Sequence, residues 1–195
     1  MHRRSPGRRL VLTLAALASL IGGYYLGQAW QRQPLAGLSA VVYQNGRDVR
    51  IPDLRGADID GNDSAWRLFA VVDTSAAACD SLRRDYALMM NRLAARPDIQ
   101  RRLKLTVLAY DHPDSASADG FAAGHDWIEV ISAPTSELDG LAGQLGLLPT
   151  GTAWCEPTQD NAVLVSPDSV AWALVPREPP ATMAHAITTL IDFVE

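Results

Sequence analysis

Residues Trp66–Leu93 read WRLFAVVDTSAAACDSLRRDYALMMNRL. Trp66 to Val72 is a short apolar run of the length of a buried strand. Small and polar residues follow from Asp73 to Ala78. Leu82, Tyr86, Met89, Met90 and Leu93 then recur at i, i+4, i+7, i+8 and i+11, one face of a 3.6-residue period. A buried strand therefore runs through a tight loop into an amphipathic helix predicted over about 77–95. Cys79 falls in or near the first helical turn. Unsatisfied backbone N–H groups and the helix dipole favour a thiolate there. Cys79 is the first candidate for chemistry.

Further along the chain, Pro97 closes the helix and Leu103–Tyr110 (LKLTVLAY) predicts the next strand. Asp111–Gly124 reads as loop, with a helical turn around 116–122, and Trp127–Ile131 as a third strand. Pro134–Gly146 reads as a helix: proline suits its start, Leu138, Leu141 and Leu145 its apolar stripe, and glycine its end. Leu147–Asn161 is a long loop carrying Pro149, Gly151, Cys155 and Pro157. Residues 162–165 and 170–175 flank Ser166-Pro167-Asp168-Ser169 as a hairpin. Pro179-Pro180 opens a last helix with Met183, Ile187, Leu190, Ile191 and Val194 on one face. From Trp66 the order is β-α-β-α-β-α-β-β-α. Its first half makes parallel crossovers and its final pair is antiparallel. The fold class is α/β, a mixed central sheet with helices on both faces. Before it, Val41–Ile51 predicts a hairpin turning at Gln44-Asn45-Gly46-Arg47, and 52–64 reads as loop.

The N-terminus differs in kind. Arg3, Arg4, Arg8, Arg9 and Arg32 carry its charge, and no acid precedes Asp48. Leu10–Gln31 is 22 residues without a charge, about the length that spans a bilayer. Arginines before it and an acidic domain after it predict a single-pass anchor, N-terminus in the cytoplasm, with the domain on the periplasmic side of a bacterial inner membrane. A cleaved signal peptide with a processing site at Gly27-Gln28-Ala29 is the alternative. Ala15, Ser19, Gly23 and Gly27 form a small-residue stripe, common in membrane helices. The expected organisation is a basic tail at 1–9, an anchor at 10–31, a linker and hairpin at 32–64 and the globular domain at 65–195. From residue 34 onward, 12 basic and 22 acidic residues leave a net charge of -10, which argues against a nucleic-acid partner. The two cysteines, Cys79 and Cys155, are too few for a disulfide scaffold and match no zinc spacing.

In order and residues, the chain from Leu35 onward resembles the Sco/SenC family, the membrane-anchored thioredoxin-like proteins of respiratory oxidase assembly. That family carries C-x-x-x-C between its first strand and first helix. The matching residues are Ser75-Ala76-Ala77-Ala78-Cys79, so only the second cysteine is kept. Leu108-Ala109-Tyr110-Asp111-His112-Pro113-Asp114 is similar to the family's Asp-Pro loop, and Trp127 to its Trp-led strand. The family's copper-binding histidine falls near Thr158 or Gln159, where this chain has none. The resemblance implies a thioredoxin-like fold, with copper-handling proteins or cytochrome c oxidase subunits as partners. With one cysteine in the motif, the usual intramotif disulfide cannot form, so the chain is not expected to be an independent redox enzyme.

Thioredoxin-like folds bring the loop of Cys155 toward the first helix, which leaves three readings of Cys79 and Cys155. They are two separate buried thiols, a disulfide or exchangeable pair, or two soft ligands for Cu(I). A staple closing so long a loop stabilises by roughly 4 kcal/mol in chain-entropy models. Met89 and Met90 read as core rather than copper ligands; His112, His125 and His185 as surface histidines; Asp111 as a turn former. Ser75 lacks a visible base. Trp66, Trp127, Trp154 and Trp172 read as core and rim, with Trp154 placed to shield a thiol. Three functions remain open: a Sco-like accessory protein, a thiol–disulfide oxidoreductase using Cys79 with Cys155, and an interaction scaffold.

Overall fold

A computed structural model describes residues 6–32, 35, 37–51, 64–111, 115–147, 155 and 161–195. The chain divides into two compact units, residues 1–37 and 38–195. In the first, Pro6–Arg32 is one continuous helix, α1, which contains the uncharged run. Leu17, Leu20, Ile21 and Leu26 on it are exposed. Among the described residues no helix is long and apolar enough to cross a membrane.

The second unit is built on six strands: β1 (Val41–Asp48), β2 (Trp66–Val72), β3 (Leu103–Ala109), β4 (Ile128–Ile131), β5 (Asn161–Val165) and β6 (Val170–Pro176). They form one sheet in the order β1-β6-β5-β2-β3-β4. β2 pairs parallel to β3 from Trp66 opposite Leu103 to Val72 opposite Ala109, and β3 parallel to β4. β5 runs antiparallel to β2, β6 to β5 and β1 to β6. The helices are α2 (Ala77–Arg92), α3 (Pro97–Gln100), α4 (Ser115–Ala122), α5 (Thr135–Leu145) and α6 (Pro180–Val194). The mixed sheet with helices on both faces is the α/β, thioredoxin-like architecture read from the sequence.

β2 is central because both of its faces are apolar. Phe69 joins Leu108, Ile131 and Val163 in a cluster closed by Leu138, Leu141 and Leu145 of α5. The periodic faces of α2 and α6 are buried: Leu82, Tyr86 and Met89 on one, Met183, Ile187 and Leu190 on the other. Met90 is also buried, so both methionines pack in the core. Gly146 ends α5 at φ 74°, the left-handed conformation that glycine adopts without a Cβ penalty.

Local patterning misplaced three features. The hairpin expected at 41–51 is a single strand: Val41 and Val42 pair with Leu174 and Ala173, and Arg47 and Asp48 with Ala171 and Val170. Asn45-Gly46 lies in the bulge between those pairings. Gly46 sits at φ 66°, and a Cβ there would collide with Val170 Cγ1. The Asn-Gly signal is one of positive φ, which a bulge needs as much as a hairpin turn. The helix expected over 77–95 is α2 followed by a 3₁₀ turn, Leu93–Ala95. Pro97 stops it but also opens α3 at the first helical position, where its missing N–H costs nothing. The third strand begins at Ile128, not Trp127.

Away from the loops that follow β2 and β3, α6 is clasped by arginines. Arg96 Nη1 and Nη2 donate to Asp192 at 2.9 and 2.8 Å. Arg102 Nη1 and Nη2 donate to Glu195 at 2.6 and 3.1 Å. Trp66 Nε1 adds a bond to Glu195 at 3.3 Å.

Candidate functional site

In open α/β sheets the loops beyond the carboxyl ends of parallel strands gather the reactive groups. Here β2 and β3 end side by side, with Tyr110 N donating to Val72 O at 3.1 Å. Asp73 then folds the chain back: its Oδ1 accepts from Ser75 N at 2.9 Å and from Ser75 Oγ at 2.6 Å. Asp111, just past β3, accepts from Thr74 Oγ1 at 2.6 Å and Ser75 N at 3.2 Å. The expected turn former therefore buttresses the other loop as well. Asp111 Oδ1 is buried without a partner among the described residues. Ser75 is tied to two carboxylates rather than to a nitrogen base, so it is positioned as a turn residue and not as a nucleophile. Ala76 caps α2 through its backbone alone.

Cys79 follows in the first turn of α2 and is joined to Cys155 by a disulfide, with Cα atoms 5.0 Å apart and a sequence separation of 76. Both are buried, at 1% and 2% exposure. The reading of two separate buried thiols is corrected: the fold brings Cys155 to the first turn of α2, where it bonds to Cys79. Cys155 adopts φ 60°, the left-handed region. A non-glycine residue there costs of order 1–3 kcal/mol and persists only where its surroundings fix it.

The surroundings include a second tie. Arg177, one residue beyond β6, has a side chain only 4% exposed. Its Nη1 donates to the Cys155 carbonyl at 3.0 Å. Its Nε and Nη2 donate to Asp85 Oδ2 at 2.9 and 2.6 Å, and Nη2 also to Ser81 Oγ at 2.9 Å. Ser81 and Asp85 are one turn apart on α2 and so share a face. Sequence reading missed all three. The Ser81/Asp85 spacing was visible, but nothing local connects Arg177 to a residue 92 positions earlier.

The remaining candidates do not join the pair. His125 precedes β4 and lies against Trp127, ring centroids 5.0 Å apart. His185 is exposed on α6. Trp66 is buried beneath the Arg102–Glu195 clasp, and Trp172 is half-buried on β6. His112, Trp154, Thr158 and Gln159 lie outside the described residues. Among the described residues no three His, Cys, Asp or Glu side chains form a metal-binding group. As joined, the two sulfurs have no thiolate to offer. Reduction by two electrons and two protons would release two adjacent thiols, soft donors of the type that suits Cu(I).

A six-stranded mixed sheet with a cysteine at the start of the helix after its central strand is a thioredoxin-like fold. Among solved structures the likeness is to Sco proteins. Apo Sco1 from Thermus thermophilus superposes with a TM-score of 0.55 at 14% identity, covering 80% of this chain and 95% of that one. Arabidopsis thaliana ScoI with copper bound matches at TM-score 0.53 and 10% identity, covering 66% and 85%. BsSco, described as a member of the Sco family of cytochrome c oxidase assembly proteins with a disulfide switch, matches at TM-score 0.53 and 14% identity, covering 67% and 81%. The fold is that of the Sco proteins. No family model matches the sequence, and no curated relative matches it.

Proposed function

We propose that this chain is a divergent Sco-like accessory protein of respiratory oxidase assembly, tethered to the bacterial inner membrane through residues 10–31, with residues 38–195 on the periplasmic side. The observation that carries the reading is the Cys79–Cys155 disulfide. Cys79 stands at the second-cysteine position of the motif that the resemblance implies, and its partner is Cys155, ahead of β5. The apolar side chains exposed on α1 and the arginines flanking its uncharged run support the tether.

In this reading the pair exists in two states. Oxidised, it staples the loop to α2. Reduced, it presents two thiolates to Cu(I), which is cargo rather than a resident cofactor. The test is an anaerobic Cu(I) titration of the full chain, reduced and oxidised, against a competing chelator, with Cys79→Ser in parallel. One equivalent bound by the reduced protein alone, and lost in the variant, is the expected result. Equal binding by the oxidised protein or by the variant would remove the pair from copper handling.

The same bond is what a thiol–disulfide oxidoreductase would carry, with Cys79 as the attacked sulfur and Cys155 as its resolving partner. Burial of both cysteines works against it, because exchange requires in-line access of another thiolate. Rapid reduction by a protein dithiol would favour that second reading.

A further inference from the structure

The Cys155 segment is fastened to α2 twice, once by sulfur and once by Arg177. Only the first fastening is redox-active. The guanidinium fork reaches the Cys155 carbonyl at 3.0 Å while its other nitrogens grip Asp85 and Ser81 of α2 at 2.6–2.9 Å. None of these bonds involves a sulfur atom, and the arginine side chain is 4% exposed. A planar, always-charged donor that is itself buried, and that grips a half-buried carboxylate with two nitrogens, is held more firmly than a surface ion pair.

From this geometry we infer that Arg177 is the positioning residue of the Cys79–Cys155 pair: it keeps the Cys155 backbone docked on α2 after the disulfide opens. The inference rests on the reading of the pair as a reducible one. Its physical content is an effective concentration. Two thiols held in adjacent segments close a disulfide, or chelate one soft ion, as an intramolecular event. A loop free to leave α2 dilutes one thiol from the other. Arg177 therefore favours the closed disulfide against external reductant and favours the chelated ion over two singly coordinated ones.

The experiment equilibrates the full-length protein with mixtures of reduced and oxidised dithiothreitol and counts free thiols by alkylation. The step is balanced: the S–S bond of Cys79–Cys155 breaks and each sulfur takes a proton. The two electrons come from the dithiol, which closes its own disulfide. In Arg177→Met, with native circular dichroism retained, the equilibrium should move about tenfold toward the reduced protein, which for a two-electron couple is about 30 mV. Arg177→Lys, which keeps the charge without the fork, should recover part of that shift. Arg96→Met, which loosens the distant α6 clasp, should recover the wild-type equilibrium and so separates positioning from general destabilisation. An unchanged equilibrium in Arg177→Met, or an equal shift in Arg96→Met, overturns the inference. Should Arg177→Met not fold, Ser81→Ala and Asp85→Asn carry the test, with shifts of the same sign expected and their absence overturning it. Copper binding distinguishes the two readings. A wild-type pair that opens reversibly but binds no Cu(I) ends the copper function and leaves the Arg177 result standing. A copper-binding pair whose equilibrium ignores Arg177 does the reverse.

Discussion

Arginine forks hold this domain together in two places, and they differ in almost everything but chemistry. Near the cysteines, the Arg177 side chain is 4% exposed, grips one carboxylate and one hydroxyl of α2, and donates to the Cys155 carbonyl. At the clasp of α6, Arg96 and Arg102 are 39% and 36% exposed and reach Asp192 and Glu195 across a wet surface. A charge taken out of water must keep every partner, since losing one leaves an uncompensated ion. A charge left in water can lose its partner and be solvated. The same guanidinium is thus a fixed strut near the disulfide and an adjustable tie at the clasp.

The largest test removes the covalent tie beside the strut. Replacing both cysteines with alanine should destabilise the oxidised protein by roughly 4 kcal/mol, the chain-entropy value for residues so far apart in sequence. Urea denaturation reads this directly. A loss near zero would mean that the strut alone fixes the loop. Next comes the strut itself. Arg177→Met should cost about 3 kcal/mol in the same assay, because Asp85, Ser81 and the Cys155 carbonyl lose their donor together. The two changes act on one loop, so combining them should depart from additivity by about 0.5–3 kcal/mol in a double-mutant cycle. Strict additivity would show that the bond and the arginine hold different things.

The clasp should answer weakly. Arg102→Met is expected to cost about 0.2–1 kcal/mol, after solvent screening is allowed for, and 1 M salt should erase most of the difference. A cost equal to that of Arg177→Met would dissolve the contrast between the two sites. The smallest expected effect is one of pH. The Arg96 guanidinium holds the Asp192 carboxyl below the usual carboxylate range, and Arg102 does the same for Glu195. A depressed folded-state pKa gives stability that is present above the ordinary carboxylate pKa and is lost as pH falls through the lower, folded value. Wild-type protein should therefore lose this increment on acidification below about pH 4, and Asp192→Asn should flatten that part of the stability curve. An identical acid limb in the variant would place the acid sensitivity elsewhere.

Sequence and structure agree where information is periodic and local. The strand–loop–helix from Trp66 to Leu93, the α5 stripe of Leu138, Leu141 and Leu145, and the α6 face were all legible, because burial on one face imposes a repeat that one segment carries by itself. The buried methionines were legible for the same reason. Asn45-Gly46 was legible only as positive φ. Whether that φ makes a hairpin or a bulge depends on β6, which lies more than a hundred residues later.

The order of elements, the mixed sheet with helices on both faces, the uncharged N-terminal run and the place of Cys79 at the start of α2 are all written in the amino-acid sequence. Each follows from residue type and spacing within one segment. That Cys79 bonds to Cys155, that β1 joins β6, and that Arg177 fastens Cys155 to Asp85 and Ser81 emerges with the packed fold. Those partners are 76 to more than a hundred residues apart in sequence. They meet because the sheet folds their segments together, and no local repeat records which distant side chain a buried donor will find.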